Sequence, residues 1–147
     1  MTTVRALEVA DWSEWRRMRR ALWPHDTAAR HEVEMAAWLA RPDAAVVVCG
    51  RELGGLCGFA EVSVRSYADG CASSPVAFLE GWYVDPDRRG SGVGRALVGA
   101  VEAWARERGL QELASDALLD NEAGQRAHER LGFIEVDRAV RYRKPLG

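Results

Sequence analysis

A strand that runs straight into a glycine-rich turn and then a long amphipathic helix constrains this chain more than any other feature. Leu79 to Val84 reads as a buried strand, Asp85-Pro86 as a turn, and Arg89-Gly90-Ser91-Gly92-Val93-Gly94-Arg95 as a loop opening a helix. The helix is marked by Val93, Ala96, Leu97, Ala100, Val101 and Trp104, apolar at i, i+3, i+4, i+7, i+8 and i+11. Such a junction presents unpaired backbone N–H groups at the positive end of a helix dipole. Glycines let the backbone curl around an anion with no Cβ in the way. Arg88, Arg89 and Arg95 add positive charge, so the expectation is a cradle for a phosphate-bearing ligand.

Two common phosphate loops do not fit. A Walker loop places Lys and then Ser or Thr after its last glycine, whereas Gly94 is followed by Arg95 and Ala96. A dinucleotide loop needs G-x-G-x-x-G, but Gly90, Gly92 and Gly94 are spaced by two, and no acidic residue ends a second strand about 20 residues later. The pattern that fits is R-x-x-G-x-G from Arg89 to Gly94. It resembles the acyl-CoA loop of the GCN5-related N-acetyltransferases (GNAT), and the resemblance makes acetyl-CoA the expected cosubstrate, with no metal.

The rest of the chain agrees with one domain over residues 1–147. The length suits a single core, and 48% apolar with 29% charged residues is ordinary for a soluble globular protein. A formal charge of −2 offers no general attraction to nucleic acid. Arg16, Arg17, Arg19 and Arg20 read as a solvated outer helix face, since Asp11 and Glu14 share that helix. No apolar run of membrane-spanning length or signal-peptide pattern occurs, which makes the cytoplasm the expected compartment. Cys49, Cys57 and Cys71 lack metal spacing and read as reduced thiols, none supported as a nucleophile.

Periodicity predicts a strand at Thr3–Leu7, a helix capped by Asp11 and running to Leu22, and a helix over Ala29–Ala40. Strands follow at Ala45–Cys49, Leu56–Ser66 and Pro75–Val84, then the glycine loop and a helix to Arg108 ended by Gly109. A strand at Glu112–Asp116, a helix at Glu122–Leu131 and closing strands at Phe133–Asp137 and Ala139–Arg143 complete the order. This is a mixed α/β domain with a central sheet flanked by helices, and it is also the element order of the GNAT fold.

A second segment, Asn121 through Ala127-His128 to Gly132-Phe133, is similar to the family's N-x5-A-[YH]-x3-G-F pattern. The resemblance implies that Asn121 contacts the donor and that Trp82, Tyr83 and Val84 hydrogen-bond its pantetheine arm, with Arg89 to Arg95 on its phosphates. Relatives often carry Tyr where this chain has His128, placed to protonate the departing thiolate. An imidazole can donate a proton near neutral pH, or be a surface or core histidine with no catalytic part.

Leu22-Trp23-Pro24, residues 70–76, Phe78-Leu79-Glu80-Gly81, Ala114-Ser115-Asp116 and residues 141–144 resemble the aminoglycoside 6′-N-acetyltransferases of antibiotic resistance. This likeness implies an acceptor site of Trp23, His25, Tyr67, Glu80, Asp116 and Asp137, and a homodimer. Charge offers an independent reason: a polycationic acceptor needs carboxylates on rigid elements. Glu80 lies in an otherwise apolar strand, where an unpaired carboxylate is costly. It must either face a cleft or be matched by an arginine. Asp116 ends the next strand, where α/β sheets open their ligand crevice. Trp23 and Tyr67 would supply flat walls for sugar rings, or pack as ordinary core and loop residues. The expected chemistry is direct transfer, with Glu80 as general base through water and a backbone N–H of residues 82–84 polarising the thioester. Gly81 marks a candidate bulge. Rival readings are acetyl transfer to a polyamine, amino acid or protein N-terminus, and a CoA-binding module without turnover.

Overall fold

The computed structural model describes residues 3–147. Five strands form one sheet in sequential order: β1 (Thr3–Ala6), β2 (Ala44–Gly50), β3 (Leu56–Arg65), β4 (Val76–Val84) and β5 (Leu113–Ser115). The first four are antiparallel neighbours, and β5 joins β4 in parallel. Helices α1 (Trp12–Leu22) and α2 (Ala28–Leu39) lie between β1 and β2. Helix α3 (Val93–Glu107) connects β4 to β5, and α4 (Glu122–Arg130) follows β5.

Alternation along the strands divides the core into two layers. On one face Val46, Val48, Leu56 and Phe59 pack against Trp15 and Met18 of α1 and Met35 of α2. On the other, Cys57, Ala60, Val62, Ala77 and Leu79 meet Val93, Leu97, Val98, Val101 and Ala105 of α3. Gly58 allows α3 its close approach: a Cβ there would lie 3.0 Å from Leu97 Cδ1 and 3.1 Å from Val93 Cγ1. Gly109, at φ +73°, ends α3 in the left-handed conformation expected after a helix C-terminus.

Three expectations need correction. Asp11 does not cap α1 with its side chain; the carboxylate pairs with Arg5 Nη1 at 2.6 Å and accepts the Glu8 N–H at 2.8 Å. The arginines of α1 are not a uniformly solvated face: Arg19 is 2% exposed, and Arg17 donates to both oxygens of Asp85. Charge count along a helix does not reveal the partners that strands bring beneath it. Finally, residues 133–143 form no strands. Their alternation is strand-like, but strand structure exists only through pairing, and this segment forms no ladder with any described element. Instead it crosses β5 at a distance, with Val136 beside Gly70 and Arg141 Nη2 3.4 Å from Asp116.

Candidate active site

The loop between β4 and α3 adopts the conformation its glycines predict. Gly90 and Gly92 have φ of +77° and +92°, and Gly92 is the N-cap of α3. Helices α2 and α4 begin with side-chain caps, Thr27 accepting from Arg30 N–H and Asn121 from Gly124 N–H. The N-terminus of α3 has no such cap, which leaves its first N–H groups turned to an exposed loop at the positive end of the dipole. Gly94 lets the helix sit on β4, since a Cβ there would lie 3.1 Å from Trp82 Cζ2. Val93 is buried in the core, so its side chain belongs to the packing of α3 and not to the loop surface. Ser91 donates its hydroxyl to the Arg88 carbonyl, and Arg89 Nε donates to the Val84 carbonyl at 2.9 Å, its guanidinium 5.6 Å from the Tyr83 ring centre. Arg95 is exposed on the first turn of the helix.

Beneath the loop, Asp85 accepts from Arg17 and from Arg51 Nη2 at 2.9 Å. Burial pushes its carboxyl up, but these two guanidinium groups outweigh burial and hold it below the usual carboxylate range. The strand-to-loop junction is thereby anchored to both α1 and the β2–β3 turn.

Strand β4 carries the expected bulge. Gly81 pairs with Glu61 and Leu79 with Val62, so Glu80 is the residue without a Cα partner on β3. Its carboxylate is matched by an arginine, one of the two solutions open to it. Arg65 Nε and Nη2 donate at 2.8 and 2.6 Å, and the Ser63 hydroxyl donates at 2.7 Å. Arg65 also lies 3.5 Å from the Phe78 ring centre. Gly81 gives room to Trp23, whose Cη2 would be 2.6 Å from a Cβ there. Trp23 stacks on His31 at 6.4 Å and lies 4.7 Å from the Arg19 guanidinium. Arg19 in turn donates at 2.6 Å to each oxygen of buried Glu61, and His31 Nε2 lies 3.2 Å from the Trp23 carbonyl oxygen.

Beyond Arg65 opens a groove of about 1370 Å³ between β5, the β3–β4 loop and residues 133–141. Tyr67, Asp116, His128 and Asp137 all line it, although they come from four separate segments. Tyr67 and Asp116 are exposed, as is Asp137, and Asp116 faces Arg141. His128 packs edge-on between Trp82 and Phe133 at 5.2 and 5.1 Å, with Nε2 2.8 Å from Ser115 Oγ. Glu80 and Trp23 do not line this groove; Arg65 bridges the two regions. His25 stands exposed on the turn after α1 and does not line the groove. Asn121 caps α4.

Sequence reasoning missed Ser63, Arg65, Ser115 and the Arg19–Glu61–His31 cluster. Only Arg65 had a signal, in the requirement that a strand carboxylate be paired. Burial pushes the Cys57 thiol up to about 11 and raises the Cys71 thiol as well, both away from a neutral-pH thiolate.

Comparison with known proteins defines the class. The model of the Acetyltransferase (GNAT) family matches residues 9–133. An aminoglycoside N(6′)-acetyltransferase type 1 of Klebsiella aerogenes is 50% identical, over 97% of this chain and 96% of that protein. One from Stenotrophomonas maltophilia is 44% identical over 98% and 94%. Among solved structures, AAC(6′)-Iy in complex with the bisubstrate analog CoA-S-monomethyl-acetylneamine superposes with a TM-score of 0.93 at 35% identity, covering 99% of both chains. The chain belongs to the GNAT acetyltransferase family and has its fold.

Proposed function

We propose that this protein transfers the acetyl group of acetyl-CoA directly to the 6′-amine of an aminoglycoside, and so protects a bacterium from the antibiotic. The observation that carries the reading is a single strand with an uncapped helix N-terminus at one end and, at its bulge, a carboxylate whose arginine partner, Arg65, lines an acidic groove. The first suits the pyrophosphate of CoA. The second suits a polycation, with Asp116 and Asp137 as further anchors and Tyr67 and Trp23 as walls for sugar rings. Full-length likeness to enzymes named for this reaction supports the acceptor.

In this reading the backbone of Trp82, Tyr83 and Val84 orients the donor, and one of its N–H groups stabilises the oxyanion. Arg95 and Asn121 border the donor. Glu80 removes the amine proton through water, after the substrate ammonium has drawn it away from Arg65.

Mass spectrometry of kanamycin incubated with enzyme and acetyl-CoA tests the proposal. A product mono-acetylated at the 6′ position supports it, whereas no product, or preference for a polyamine or peptide amine, refutes it. Glu80→Gln separates roles: a loss on the order of 10²–10⁴-fold in turnover fits a base. Unchanged turnover excludes that assignment, and a loss of about tenfold or less leaves Glu80 as a cation anchor only.

We further propose that residues 1–147 act as one domain, in the cytoplasm, as a homodimer. Three free thiols favour a reducing compartment. Exposed Ile134, Val136, Val140 and Tyr142 on the unladdered segment, together with the unpaired outer edge of β5, favour a second copy that pairs there. Sedimentation of the intact chain as one copy at micromolar concentration would exclude the dimer.

A further inference from the structure

We propose that Glu112 is the positioning residue that shapes the acceptor groove, by holding a loop on which both Tyr67 and Asp137 depend. This rests on the aminoglycoside reading above.

The loop between β3 and β4, residues 66–75, has little to bury. It consists of small or polar residues except Tyr67, and that ring is 67% exposed. A loop without apolar anchors must hold its shape through hydrogen bonds. Two are internal: the Ser74 hydroxyl donates to the Ser66 carbonyl, and the Cys71 N–H to the Ala68 carbonyl at 3.1 Å. Among the described residues, those that leave the loop converge on one carboxylate oxygen. Glu112 Oε1 accepts the N–H groups of Ala72 and Ser73 at 2.8 and 2.6 Å, and the Ser73 hydroxyl as well. The Ser73 hydroxyl foremost, with the two N–H groups, holds the Glu112 carboxyl below the usual carboxylate range, so this latch is charged at neutral pH. Glu112 is itself fixed. Its carbonyl oxygen accepts the Ala77 N–H at 3.1 Å, where β5 joins β4, and Ala77 is fully buried. The residue thus ties a loop with no core of its own to the buried sheet.

Two of the acceptor contacts rest on this loop. Tyr67 stands on it, between the Ser66–Ser74 closure and the turn at Ala68–Cys71. Asp137 depends on it less directly. Residues 133–141 form no ladder, and Val136, next to Asp137, lies against Gly70 on the loop, where a Cβ would be 2.4 Å from Val136 Cβ. Gly70 has φ +82°, so conformation and space both reserve the position for glycine. Tyr67 and Asp137 therefore line the groove from two separate segments, and one carboxylate behind them sets the place of both. The glycine loop lies at the opposite end of β4, so donor binding should not feel the latch.

The test compares Glu112→Ala, Glu112→Gln, Gly70→Ala and the Glu112→Ala/Gly70→Ala double variant on acetyl-CoA with kanamycin. If loss of the latch leaves the loop formed about a tenth of the time, the KM for kanamycin rises about tenfold. The KM for acetyl-CoA and kcat at saturation should stay near wild type. Gln keeps an acceptor oxygen, so Glu112→Gln should fall between wild type and Glu112→Ala. Gly70→Ala leaves the latch in place and should raise the kanamycin KM by displacing Val136. The double variant should lose less than the product of the two singles, because both act on one loop. In NMR of the free enzyme, an NOE between the Val136 methyls and Gly70 Hα should be present in wild type and lost in Glu112→Ala, with faster amide exchange at Ala72 and Ser73. This separates a latch from direct contact of Glu112 with the acceptor, which would raise KM with the NOE intact. An unchanged kanamycin KM in Glu112→Ala, an equal rise in acetyl-CoA KM, multiplicative losses in the double variant, or an NOE that persists without the carboxylate would each overturn the proposal. If wild type acetylates no aminoglycoside, the acceptor reading fails, and the NMR comparison still decides whether Glu112 sets the loop and the segment upon it.

Discussion

The buried cluster beneath Trp23 makes Arg19→Met an informative perturbation of both stability and acceptor binding. Arg19 and Glu61 are each 2% exposed, and the guanidinium bonds both carboxylate oxygens at 2.6 Å. Trp15 Nε1 adds a 3.0 Å bond, while Glu34 and His31 complete the cluster around Arg19. Removing Arg19 strands a carboxylate in the core, a change that costs about 3–5 kcal/mol. Set against a total stability of roughly 5–15 kcal/mol, that loss is large. Burial already pushes the Glu61 carboxyl up, with Arg19 and Trp15 opposing, so without Arg19 it rises further and Glu61 escapes by taking a proton. A carboxyl with a folded pKa above its unfolded value binds more protons in the native state. Stability then falls as pH rises from the unfolded value, about 4.3, through the folded one. The deficit of Arg19→Met relative to wild type should therefore be smaller at pH 5 than at pH 8 in urea unfolding. Adding Glu61→Gln removes the stranded charge but keeps an acceptor for Trp15, so the double variant should be more stable than Arg19→Met alone. A single-variant loss under about 1 kcal/mol, a deficit that grows toward acid, or a double variant weaker than the single would refute the reasoning.

Three further outcomes follow from geometry. Gly81→Val places a Cβ 2.6 Å from Trp23 Cη2, so aminoglycoside KM should rise by about tenfold while acetyl-CoA KM holds; an unchanged aminoglycoside KM would mean Trp23 is no acceptor wall. Gly92→Val forces a branched side chain to φ +92°, straining the N-cap by about 1–2 kcal/mol, and should weaken CoA binding in calorimetry; equal affinity would place the phosphates elsewhere. Asp85 and Asp11 are both held below the usual carboxylate range, so the stability they contribute is complete at neutral pH and is lost as pH falls through their folded values. Asp85→Asn should flatten the acid limb of a Tm-against-pH curve, and an unaltered limb would contradict the Arg17–Asp85–Arg51 account.

How much of this was readable in the sequence depended on the range of the physics involved. Helix and strand bounds fell within a residue or two because 3.6- and 2-residue periods are local. The bulge was legible because Gly81 interrupts an apolar strand, and Glu80 declared its need for a partner without naming Arg65. The closing strands were misread because alternation at Phe133–Val136 reports what a strand would bury, not whether an edge lies close enough to pair. Arg19 and Glu61 lie 42 residues apart and carry no mutual signal, so Arg19 passed as one of four solvated arginines. Ser115 was hidden differently: it sits beside Asp116, whose charge invited attention, whereas its bond to His128 exists only because α4 places that ring next to it.

These cases share a cause that bears on how the reaction is organised. Strand β4 carries Glu80 and meets Trp23, Arg65, His128 and the glycine loop, and its two sides are built by opposite halves of the chain. Residues before it supply Trp23, Ser63 and Arg65 on the face of α1 and α2. Residues after it supply the glycine loop, Ser115 and His128 on the face of α3 and α4. An unbroken strand would alternate its side chains in strict register and fix where each face begins and ends. The bulge at Glu80 breaks that register at the place where β5 ends and the sheet opens. It follows that removing the bulge, and not merely the carboxylate, should uncouple the halves. A variant lacking Glu80 as a residue restores continuous pairing with β3, and it should still bind CoA yet lose more turnover than Glu80→Gln. Calorimetry with CoA beside steady-state rates would show it, and equal losses in the two variants would mean that the carboxylate alone matters.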